Sequence, residues 1–380
     1  MAKKVLVMAS VASMIDQFNL PIIGLLQSMG YEVHVACNFL KGSTCSAEKI
    51  EGLKKKLEEL GVKYFQIDFT RSVMNLKQDY VAYKQVKKIL LDNRYTFIHC
   101  HSPIGGVVGR LAGHATHTKV IYTAHGFHFF KGAPLKNWLI FYTIEKFCAR
   151  YTDVLITINK EDFAFAQKNM HAKKIFYVPG VGIDLERIQS VQCNRSELRK
   201  SMGVPEDCIL LFSVGELNAN KNHEVVVKAL AKLNNPKVHY AIAGIGNKKE
   251  YLEQLSAELG VGKQLHLLGF RTDVLNLYKV SDLFIFPSFR EGLSVSLMEA
   301  MACGIPVICS KIRGNVDLIE NGVGGFCFLP DDNEALVDCL KKMIDEKSLR
   351  DNFGQSNSKR IKNFGLKNVL VNMKAIYEDL

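Results

Sequence analysis

The sequence predicts an α/β protein with two doubly wound parallel sheets, and three observations support this fold class. Short apolar runs alternate with segments of helical length along the 380 residues, which is typical of parallel strands connected by helices. Residues 179–182, Pro-Gly-Val-Gly, interrupt the alternation before it begins again near residue 209, and this indicates a hinge between two domains. The length and the hydrophobic fraction of 48% are sufficient for a core in each domain.

The first half, residues 1–180, is predicted to form seven strands and six helices. Continuous apolar runs predict strands that are buried on both faces, and amphipathic segments predict the helices that cover those faces. The strands are predicted at residues 3–9, 32–37, 63–67, 96–100, 119–123, 153–158 and 175–178. The helices are predicted at residues 18–29, 47–60, 78–93, 105–113, 134–150 and 160–169.

The second half, residues 181–364, repeats this alternation. Its strands are predicted at residues 209–214, 238–243, 264–268 and 283–286, with a further strand after residue 306. Its helices are predicted at residues 223–233, 248–259, 273–280, 295–302, 333–346 and 349–364. A last helix over residues 367–380 lies in a separate C-terminal segment, residues 365–380.

The excess positive charge belongs to the first half. Residues 1–180 contain 24 Lys and Arg against 13 Asp and Glu, whereas residues 181–380 contain 25 of each, so the net charge of +11 arises before the hinge. Such a half suits an anionic partner, namely an acidic membrane surface, a diphosphate or a nucleic acid; lysines that only aid solubility are the alternative. No spanning helix or signal peptide is predicted, and ten scattered cysteines indicate a reducing cytoplasm.

The stretch from residue 286 to residue 307, FPSFREGLSVSLMEAMACGIPV, has the clearest functional pattern. Ser294 is the predicted N-cap of the helix over residues 295–302. In a parallel sheet, the loop before such a helix lies at the carboxyl ends of the strands, where ligands bind. Glu291 in the loop and Glu299 in the helix are therefore predicted to accept hydrogen bonds from a ligand, with two solvated surface charges as the alternative.

The backbone of the same loop is suited to phosphate. Gly292 allows a ligand to come close, and the amides of Gly292, Leu293 and Ser294 are predicted to be unpaired donors at the positive end of the helix. Amides that bind phosphate, beside carboxylates that accept from hydroxyls, match the two parts of a nucleotide-sugar. We therefore predict a nucleotide-sugar site.

The pair Glu291 and Glu299 in EGLSVSLMEAMACGIPVI resembles the paired-glutamate signature of the retaining glycosyltransferases of family 4, and the resemblance covers essentially the whole chain. It implies two Rossmann-like domains that face each other across a cleft, the GT-B fold. Residues 1–180 are then the acceptor domain, residues 181–364 bind the donor, and residues 365–380 cross back onto the first domain. The resemblance also implies that Glu299 holds the donor ribose hydroxyls and Glu291 the hydroxyls of the donor sugar.

The resemblance implies a cationic site after the first strand of the second half. Lys221, in VGELNANKNH, stands where the family places a lysine on the donor diphosphate, and an ammonium group suits phosphate. The family commonly has an arginine directly after the glycine that is Gly215 here, but this chain has Glu216. Half of the usual cationic clamp is therefore missing, and Arg290 and Arg271 are the candidates for the second cation.

Two further strand exits are predicted to contact the nucleotide. Gly244 and Gly246, in AGIGN, suit close packing of the backbone against it, although a lone G-x-G is a weak signal. The backbone of Phe270 and Arg271 is expected near the base by resemblance. Asp273 is predicted to be the N-cap of the next helix.

Histidines lie at the ends of two neighbouring strands of the first half. His99 and His101 lie in HCHSP, and His125 and His128 lie in TAHGFHFF. In the family, a histidine at the position of His125 contacts the donor sugar, so His125 is predicted to be catalytic and His101 is a second candidate. A metal site built from these histidines is the alternative; since no third cluster of ligands and no Asp-x-Asp is found, neither a metal nor another cofactor is expected.

The segment over residues 127–150 mixes aromatic and basic side chains. Such a mixture suits insertion into a lipid headgroup layer, while a helix beside a parallel sheet must also bury an apolar face; both interpretations stay open. The apolar and basic residues of this segment are Phe127, Phe129, Phe130, Trp138, Leu139, Ile140, Phe141, Tyr142, Lys131, Lys136, Lys146 and Arg150.

Residues 41–45, the lysines at 54–56, Asp16 and Gln17 are candidates for the acceptor side.

The function implied by the resemblance is that of a retaining, metal-independent hexosyltransferase, in which Lys221 and the loop amides stabilise the leaving diphosphate. The segments YTAHGFHFFKG and VGELNANKNH resemble bacterial capsule, exopolysaccharide and glycan-assembly transferases. This implies a UDP-hexose or UDP-N-acetylhexosamine donor, a polyprenyl-diphosphate-linked acceptor, and a cytoplasmic protein on the inner face of the cell membrane. A non-catalytic scaffold, an epimerase of the same fold and a nucleic-acid binder are the rivals, and the last lacks a recognition motif.

Overall fold

The computed structural model describes residues 3–42, 46–70 and 75–380. The chain forms two compact units, one of Met1–Val181 with Val369–Leu380 and the other of Gly182–Asn368. Each unit contains one parallel sheet with helices between its strands. The predicted fold class, two Rossmann-like α/β domains, is confirmed.

The first unit has a seven-stranded sheet in the order β3-β2-β1-β4-β5-β6-β7. The order reverses between β1 and β4, which pair directly from Val5 opposite Phe97 to Met8 opposite Cys100. Such a reversal is the point where ligands bind in an open parallel sheet. The strands are β1 (Lys4–Val11), β2 (Glu32–Asn38), β3 (Lys63–Gln66), β4 (Phe97–His101), β5 (Lys119–Ala124), β6 (Val154–Thr157) and β7 (Lys174–Tyr177).

The helices of the first unit differ from the prediction mainly at two π-helical segments. The first helix was predicted to begin at residue 18, but the chain is helical directly after β1, and a π-helix over Ile15–Asn19 widens the first turns. Such π segments are often found at functional sites. The helical segments are Ala12–Met14, Ile15–Asn19 (π), Leu20–Ser28, Ala47–Glu59, Leu76–Asn93, Pro103–Thr116, Leu135–Asn137, Trp138–Tyr142 (π), Thr143–Ala149, Lys160–Asn169 and Leu366–Glu378.

The core of the first unit lies on both faces of its sheet. Along β1, Val5 and Leu6 point to opposite faces, and each belongs to a different apolar cluster. The C-terminal helix closes one face with four buried side chains, Val369, Met373, Ile376 and Tyr377. Burying a side chain of this size stabilises a fold by roughly 1.5–3 kcal/mol, so this helix is an integral part of the unit.

The second unit has a six-stranded sheet in the order β10-β9-β8-β11-β12-β13, which reverses between β8 and β11. Its strands are β8 (Ile209–Val214), β9 (Val238–Ala243), β10 (Leu265–Leu267), β11 (Leu283–Phe286), β12 (Val307–Ser310) and β13 (Gly325–Phe328). Its helices are Leu185–Ser190, Arg195–Ser201, His223–Leu233, Lys249–Glu258, Val274–Val280, Val295–Ala302, Asn315–Leu318, Asn333–Asp345 and Lys347–Arg360, with 3-10 turns at Ala219–Lys221, Gly262–Gln264 and Ile361–Phe364.

Four short elements of the second unit were not predicted. Helices Leu185–Ser190 and Arg195–Ser201 lack a long apolar stripe, and they begin at Asp184 and Asn194, whose side chains accept from the third amide of each helix. Helix Asn315–Leu318 has four residues, and the edge strand β13 also has four and begins with a glycine. Segments this short carry too few side chains to show a period.

Candidate functional site

The reversal between β8 and β11 brings two polar loops of the second unit together. Lys221 follows β8, and Glu291 follows β11. Lys221 Nζ donates to Glu291 Oε1 at 2.7 Å, and the two side chains are 20% and 16% exposed. The same ammonium lies 5.0 Å from the centre of the Phe286 ring. The sequence predicted both residues at the donor, and the structure joins them in one ion pair that remains open to solvent.

The loop after β11 is held by two asparagines that precede and follow Lys221. Asn220 Nδ2 donates to the backbone carbonyl oxygen of Arg290 at 3.1 Å. The backbone carbonyl oxygen of Asn220 accepts from the backbone amide of Phe289 at 2.8 Å. Asn222, in a left-handed conformation with φ +52°, donates from Nδ2 to the carbonyl oxygen of Pro287 at 3.2 Å. These bonds fix the loop in front of β8 without using any of the amides that were predicted to bind phosphate.

The amides predicted to bind phosphate are available. Ser294 is the N-cap of the helix Val295–Ala302, as predicted, and its Oγ accepts from the amide of Leu297. In the part of the chain that the structure describes, the amides of Gly292, Leu293 and Ser294 donate to no protein acceptor. Donors of this kind at the positive end of a helix are suited to an anion, so the predicted phosphate role stays a prediction that this geometry allows.

Glu299 lies in the second turn of this helix, is partly buried, and has Tyr278 beside its carboxyl group. Burial raises the pKa of its carboxyl group to about 7, although a hydrogen bond from Tyr278 Oη opposes the rise. That bond is long, at 3.4 Å, because Tyr278 Oη also donates to the carbonyl oxygen of Ser296 at 2.9 Å. The carboxyl group therefore has only one weak protein hydrogen bond in the described part of the chain, and its predicted role toward ligand hydroxyls stays a prediction.

The two glycines of AGIGN have a structural reason that the sequence did not reveal. A Cβ on Gly244 would overlap the carbonyl of Gly215, and a Cβ on Gly246 would overlap the backbone of Leu217. The amide of Gly215 in turn donates to the carbonyl oxygen of Ala243 at 3.1 Å. The loop after β9 thus packs directly on the loop after β8, and the glycines permit this approach of two backbones.

The residues expected to complete the cationic clamp lie in different environments. Arg271 binds Asp273 with both Nε and Nη2, at 2.7 and 2.6 Å. Asp273 is the N-cap residue of its helix, as predicted, but its side chain makes no capping hydrogen bond. Arg290 and Glu216 are exposed, and Phe270 exposes 66% of its surface.

The sequence analysis did not identify Arg313 and Gly314, which contact the backbone of the loop after β11. Arg313 is 6% exposed, and its Nε donates to the carbonyl oxygen of Glu291 at 3.2 Å. Gly314 has φ +77° and packs against the backbone of Gly292. The glycine itself was the available signal, because glycine is the usual residue where the backbone has positive φ or closely approaches another backbone.

In the first unit, the reversal between β1 and β4 brings polar but uncharged groups together. Asn19, at the end of the π-helix, donates from Nδ2 to His101 Nε2 at 2.8 Å. With the Asn19 amide in this orientation, its nitrogen donates, which assigns the proton of His101 to Nδ1 and a donation from there to His125 Nε2 at 3.1 Å. His125 therefore keeps its own proton on Nδ1, where it can donate to a hydroxyl. A cavity of about 30 Å³ lies beside these three residues.

The neighbouring His99 belongs to the fold. Its Nδ1 is 2.7 Å from Tyr377 Oη and its Nε2 is 2.8 Å from Thr123 Oγ1. Burial lowers the pKa of His99 to about 3 and that of His125 to about 4, and it holds the pKa of His101 well below its usual value. All three are neutral near pH 7. Among the described residues, no group of three or more His, Cys, Asp and Glu side chains is arranged to hold a metal ion.

The aromatic and basic segment over residues 127–150 divides between the core and the surface. Phe127 and Phe129 are 3% and 2% exposed, so for these two rings the structure favours the second interpretation, burial beside the sheet. Trp138, Phe141 and Tyr142 pack partly against the same core. The exposed apolar side chains are Leu135, Leu139, Ile140 and Phe147. In the described part of the chain, no helix is both long and apolar enough to cross a bilayer.

The candidates for the acceptor side are only partly described. Residues 43–45, within the predicted acceptor loop at 41–45, lie outside the described residues. Asp16 and Gln17 lie in the π-helix that ends at Asn19. Lys54 forms a 2.7 Å ion pair with Glu51 on the surface of its helix.

Comparison with known proteins gives the same assignment for both units. Residues 22–187 match the family model described as Glycosyltransferase Family 4, and residues 194–360 match the model described as Glycosyl transferases group 1. The Bacillus subtilis (strain 168) protein EpsD, named as a glycosyltransferase, is 35% identical over 99% of this chain and 97% of its own. The Escherichia coli UDP-Gal:alpha-D-GlcNAc-diphosphoundecaprenol alpha-1,3-galactosyltransferase is 29% identical over 81% of each chain.

A solved structure shares the fold. The crystal structure of Anabaena Alr3699/HepE in complex with UDP matches with a TM-score of 0.80 over 99% of this chain and 100% of that one. Only 20% of the aligned residues are identical, so the likeness concerns the arrangement of strands and helices.

Proposed function

We propose, from the premise that this chain belongs to glycosyltransferase family 4, that it transfers a hexosyl or N-acetylhexosaminyl group from a UDP-sugar to a polyprenyl-diphosphate-linked saccharide. The transfer retains the anomeric configuration and uses no metal ion. Relatives that the chain matches include transferases of capsular polysaccharide synthesis and of saccharides linked to diphosphoundecaprenol. The observation that carries the proposal is the solvent-accessible pair of Lys221 and Glu291 beside three free amides at the reversal of the second sheet.

Each group of this site suits one part of a UDP-sugar. The ammonium of Lys221 and the amides of residues 292–294 neutralise the diphosphate, and their effect grows as charge develops on the leaving group. The carboxylate of Glu299 accepts from the ribose hydroxyls, and that of Glu291 accepts from hydroxyls of the sugar. His125 donates from Nδ1 to a further hydroxyl. Lys221 offers the positive charge that a metal ion supplies in other transferases.

In the proposed step, the bond between the anomeric carbon and the β-phosphate oxygen breaks, and UDP leaves. The acceptor oxygen forms its bond on the same face of the sugar, which retains the configuration. Its proton passes to the departing phosphate, so atoms and charge balance without a covalent enzyme intermediate. Glu291 is engaged with Lys221, which is consistent with a binding role and not with a nucleophile.

The first experiment is calorimetric titration with UDP. We expect the unchanged protein to bind, Glu299→Ala to bind at least about tenfold more weakly, since it loses hydrogen bonds to a charged acceptor, and Glu320→Ala to bind normally. Glu320 is a suitable control because it lies on the surface of the same unit, 62% exposed, in an ion pair with Arg360. Equal binding by Glu299→Ala and the control would contradict the ribose assignment.

A transfer assay separates the proposed enzyme from its rivals. UDP-hexoses and UDP-N-acetylhexosamines are incubated with and without a polyprenyl-diphosphate saccharide, and the product is analysed by NMR. An acceptor-dependent product with the anomeric configuration of the donor supports the proposal. A new UDP-sugar without acceptor indicates an epimerase, and binding without turnover indicates a scaffold. Loss of activity with a chelator would refute metal independence.

The exposed apolar side chains of the first unit suit a peripheral contact with the inner face of the cell membrane. Leu135, Leu139 and Phe147 expose 74%, 67% and 48% of their surfaces, in a half that carries the whole net positive charge. We expect flotation with vesicles that contain phosphatidylglycerol, and weaker flotation for Leu139→Asp. The control is Val371→Asp, since Val371 is also 67% exposed. Equal flotation of both variants would disprove this contact surface.

A further inference from the structure

The segment between β12 and the helix Asn315–Leu318 packs against the loop after β11, residues 287–294, which is called the donor loop below. Arg313 is almost completely buried there, although arginine is seldom buried unless its charge is bound. Its Nε donates to the carbonyl oxygen of Glu291 at 3.2 Å. The guanidinium thus reaches the backbone of the loop whose amides are proposed to bind phosphate.

Gly314 makes a second contact with the same loop. It has φ +77°, and a Cβ at this position would overlap the carbonyl oxygen of Gly292 and lie 2.9 Å from its carbonyl carbon. A Cα hydrogen of Gly314 therefore faces this carbonyl oxygen, an approach that recurs where two backbones pack closely. No residue other than glycine fits without moving the loop.

Both contacts act on carbonyl groups, and this determines where the neighbouring amides point. In a trans peptide, the carbonyl of one residue and the amide of the next lie in one plane and point in opposite directions. When the carbonyl of Glu291 points to Arg313, the amide of Gly292 points away from it. When the carbonyl of Gly292 points to Gly314, the amide of Leu293 points away as well.

We propose that Arg313 and Gly314 are positioning residues that turn the amides of Gly292 and Leu293 toward the donor diphosphate. Arg313 thus supports the phosphate site from behind, in a chain where Glu216 stands in place of the clamp arginine. This inference rests on the proposed function only for the identity of the anion. The orientation of the two peptides depends on the contacts themselves.

The test compares UDP with uridine, which has the base and the ribose but no phosphate. For Arg313→Met and Gly314→Ala we expect the Kd of UDP to rise about tenfold, the effect of losing a hydrogen bond to a charged group. The Kd of uridine, followed by ligand-observed NMR, stays unchanged. Arg313→Lys, which keeps a charged donor, restores part of the UDP affinity.

The chain provides a matched control for the glycine. Gly322 has φ +82°, close to that of Gly314, but a Cβ there would meet no atom within 4 Å. Gly322→Ala therefore carries the same backbone strain without displacing a loop. We expect it to lose stability in thermal unfolding, as Gly314→Ala does, and to bind UDP normally.

Three outcomes would overturn the inference. They are normal UDP affinity in both Arg313→Met and Gly314→Ala, an equal loss of UDP and uridine binding, and the same UDP defect in Gly322→Ala. If the unchanged protein bound uridine but not UDP, the proposed function and the phosphate role would both fail. A crystal structure of Arg313→Met would still decide the orientation, and an unchanged peptide between Glu291 and Gly292 would refute it.

Discussion

The two sheets reverse their strand order at equivalent places and carry different chemistry there. In the first unit, Asn19 lies in the helical segment after β1 and His101 is the last residue of β4; they are 1% and 3% exposed and form a neutral hydrogen bond. In the second unit, Lys221 and Glu291 follow β8 and β11 and form an ion pair that solvent reaches. The topology thus determines where a site forms, and the side chains determine what it binds.

Burial explains why the two places differ. A charged group loses its hydration when it is buried, so the histidines of the first unit remain neutral and offer directional hydrogen bonds. The pair in the second unit keeps part of its hydration and can exchange one partner for a charged ligand. Neutral donors suit sugar hydroxyls, and an accessible ammonium suits a diphosphate. The following predictions test this contrast, from the largest expected effect to the smallest.

The largest effect is expected where the first unit does bury an ion pair. Arg110 Nη1 binds Glu145 Oε2 at 2.7 Å, and the two side chains are 1% and 10% exposed. Glu145→Ala leaves the guanidinium buried without this partner and should lower the free energy of unfolding by about 3–5 kcal/mol. Urea unfolding measures this loss. Glu51→Ala, which removes an exposed ion pair with Lys54 in the same unit, should cost less than about 1 kcal/mol.

In the second prediction, the expected effect on ligand binding is larger than the expected effect on stability. Lys221→Met should weaken UDP binding by up to about a hundredfold, because an ammonium contributes a charge-assisted bond to phosphate, while the unfolding free energy changes by about 1 kcal/mol or less. Calorimetry and urea unfolding measure the two effects. Lys228→Met is the control, since Lys228 pairs with Glu224 on the surface of the same unit. Normal UDP binding by Lys221→Met would contradict the claim that the accessible ion pair of the second unit serves to bind a diphosphate.

The third prediction uses the pKa of Glu299, which burial raises to about 7. Only the carboxylate accepts from two hydroxyls, so UDP affinity should fall up to about tenfold between about pH 8 and about pH 6 as this group gains a proton. Calorimetry over this range measures it. Glu299→Gln has no group that titrates in this pH range. Its pH dependence therefore reports the other groups, including the phosphate of UDP, and serves as the control. An equal pH dependence in both proteins would contradict the assignment.

The fourth prediction concerns stability against pH and has the smallest size. The pKa of His99 is lowered to about 3, so below about pH 6.5 the unfolded chain binds a proton that the native protein does not. The unfolding free energy should therefore fall by about 1 kcal/mol between about pH 7 and about pH 5.5 because of His99. Glu299 acts in the opposite sense, since its raised pKa makes the native state lose stability as pH rises from about 4.5 to about 7.

Single substitutions separate these opposing contributions. In urea unfolding across this pH range, His99→Gln should make the protein less sensitive to acid, and Glu299→Gln should make it more sensitive. His99→Gln retains groups that can bond to Tyr377 and Thr123, which limits other effects. Parallel pH profiles for the unchanged protein and His99→Gln would show that the histidine is not kept neutral by burial.

Much of the donor loop was predictable because its signals are local. An apolar run gave β11, and a serine before an amphipathic segment gave the N-cap and the limits of the helix Val295–Ala302. By contrast, the support from Arg313 and Gly314 depends on a loop some twenty residues further along the chain. Likewise, Tyr377 meets His99 across 278 residues, and no period or spacing in the sequence records such a contact.

By itself, the sequence determined the alternation of strands and helices, the two domains, and the strand exits where polar residues gather. It did so because apolar periodicity, turn residues and capping side chains act over a few neighbouring positions. Only the tertiary structure decided which strand exits are adjacent, that Lys221 meets Glu291, and that Asn19 orders the histidines. These depend on strand order and on the packing of distant backbones, which are properties of the folded chain as a whole.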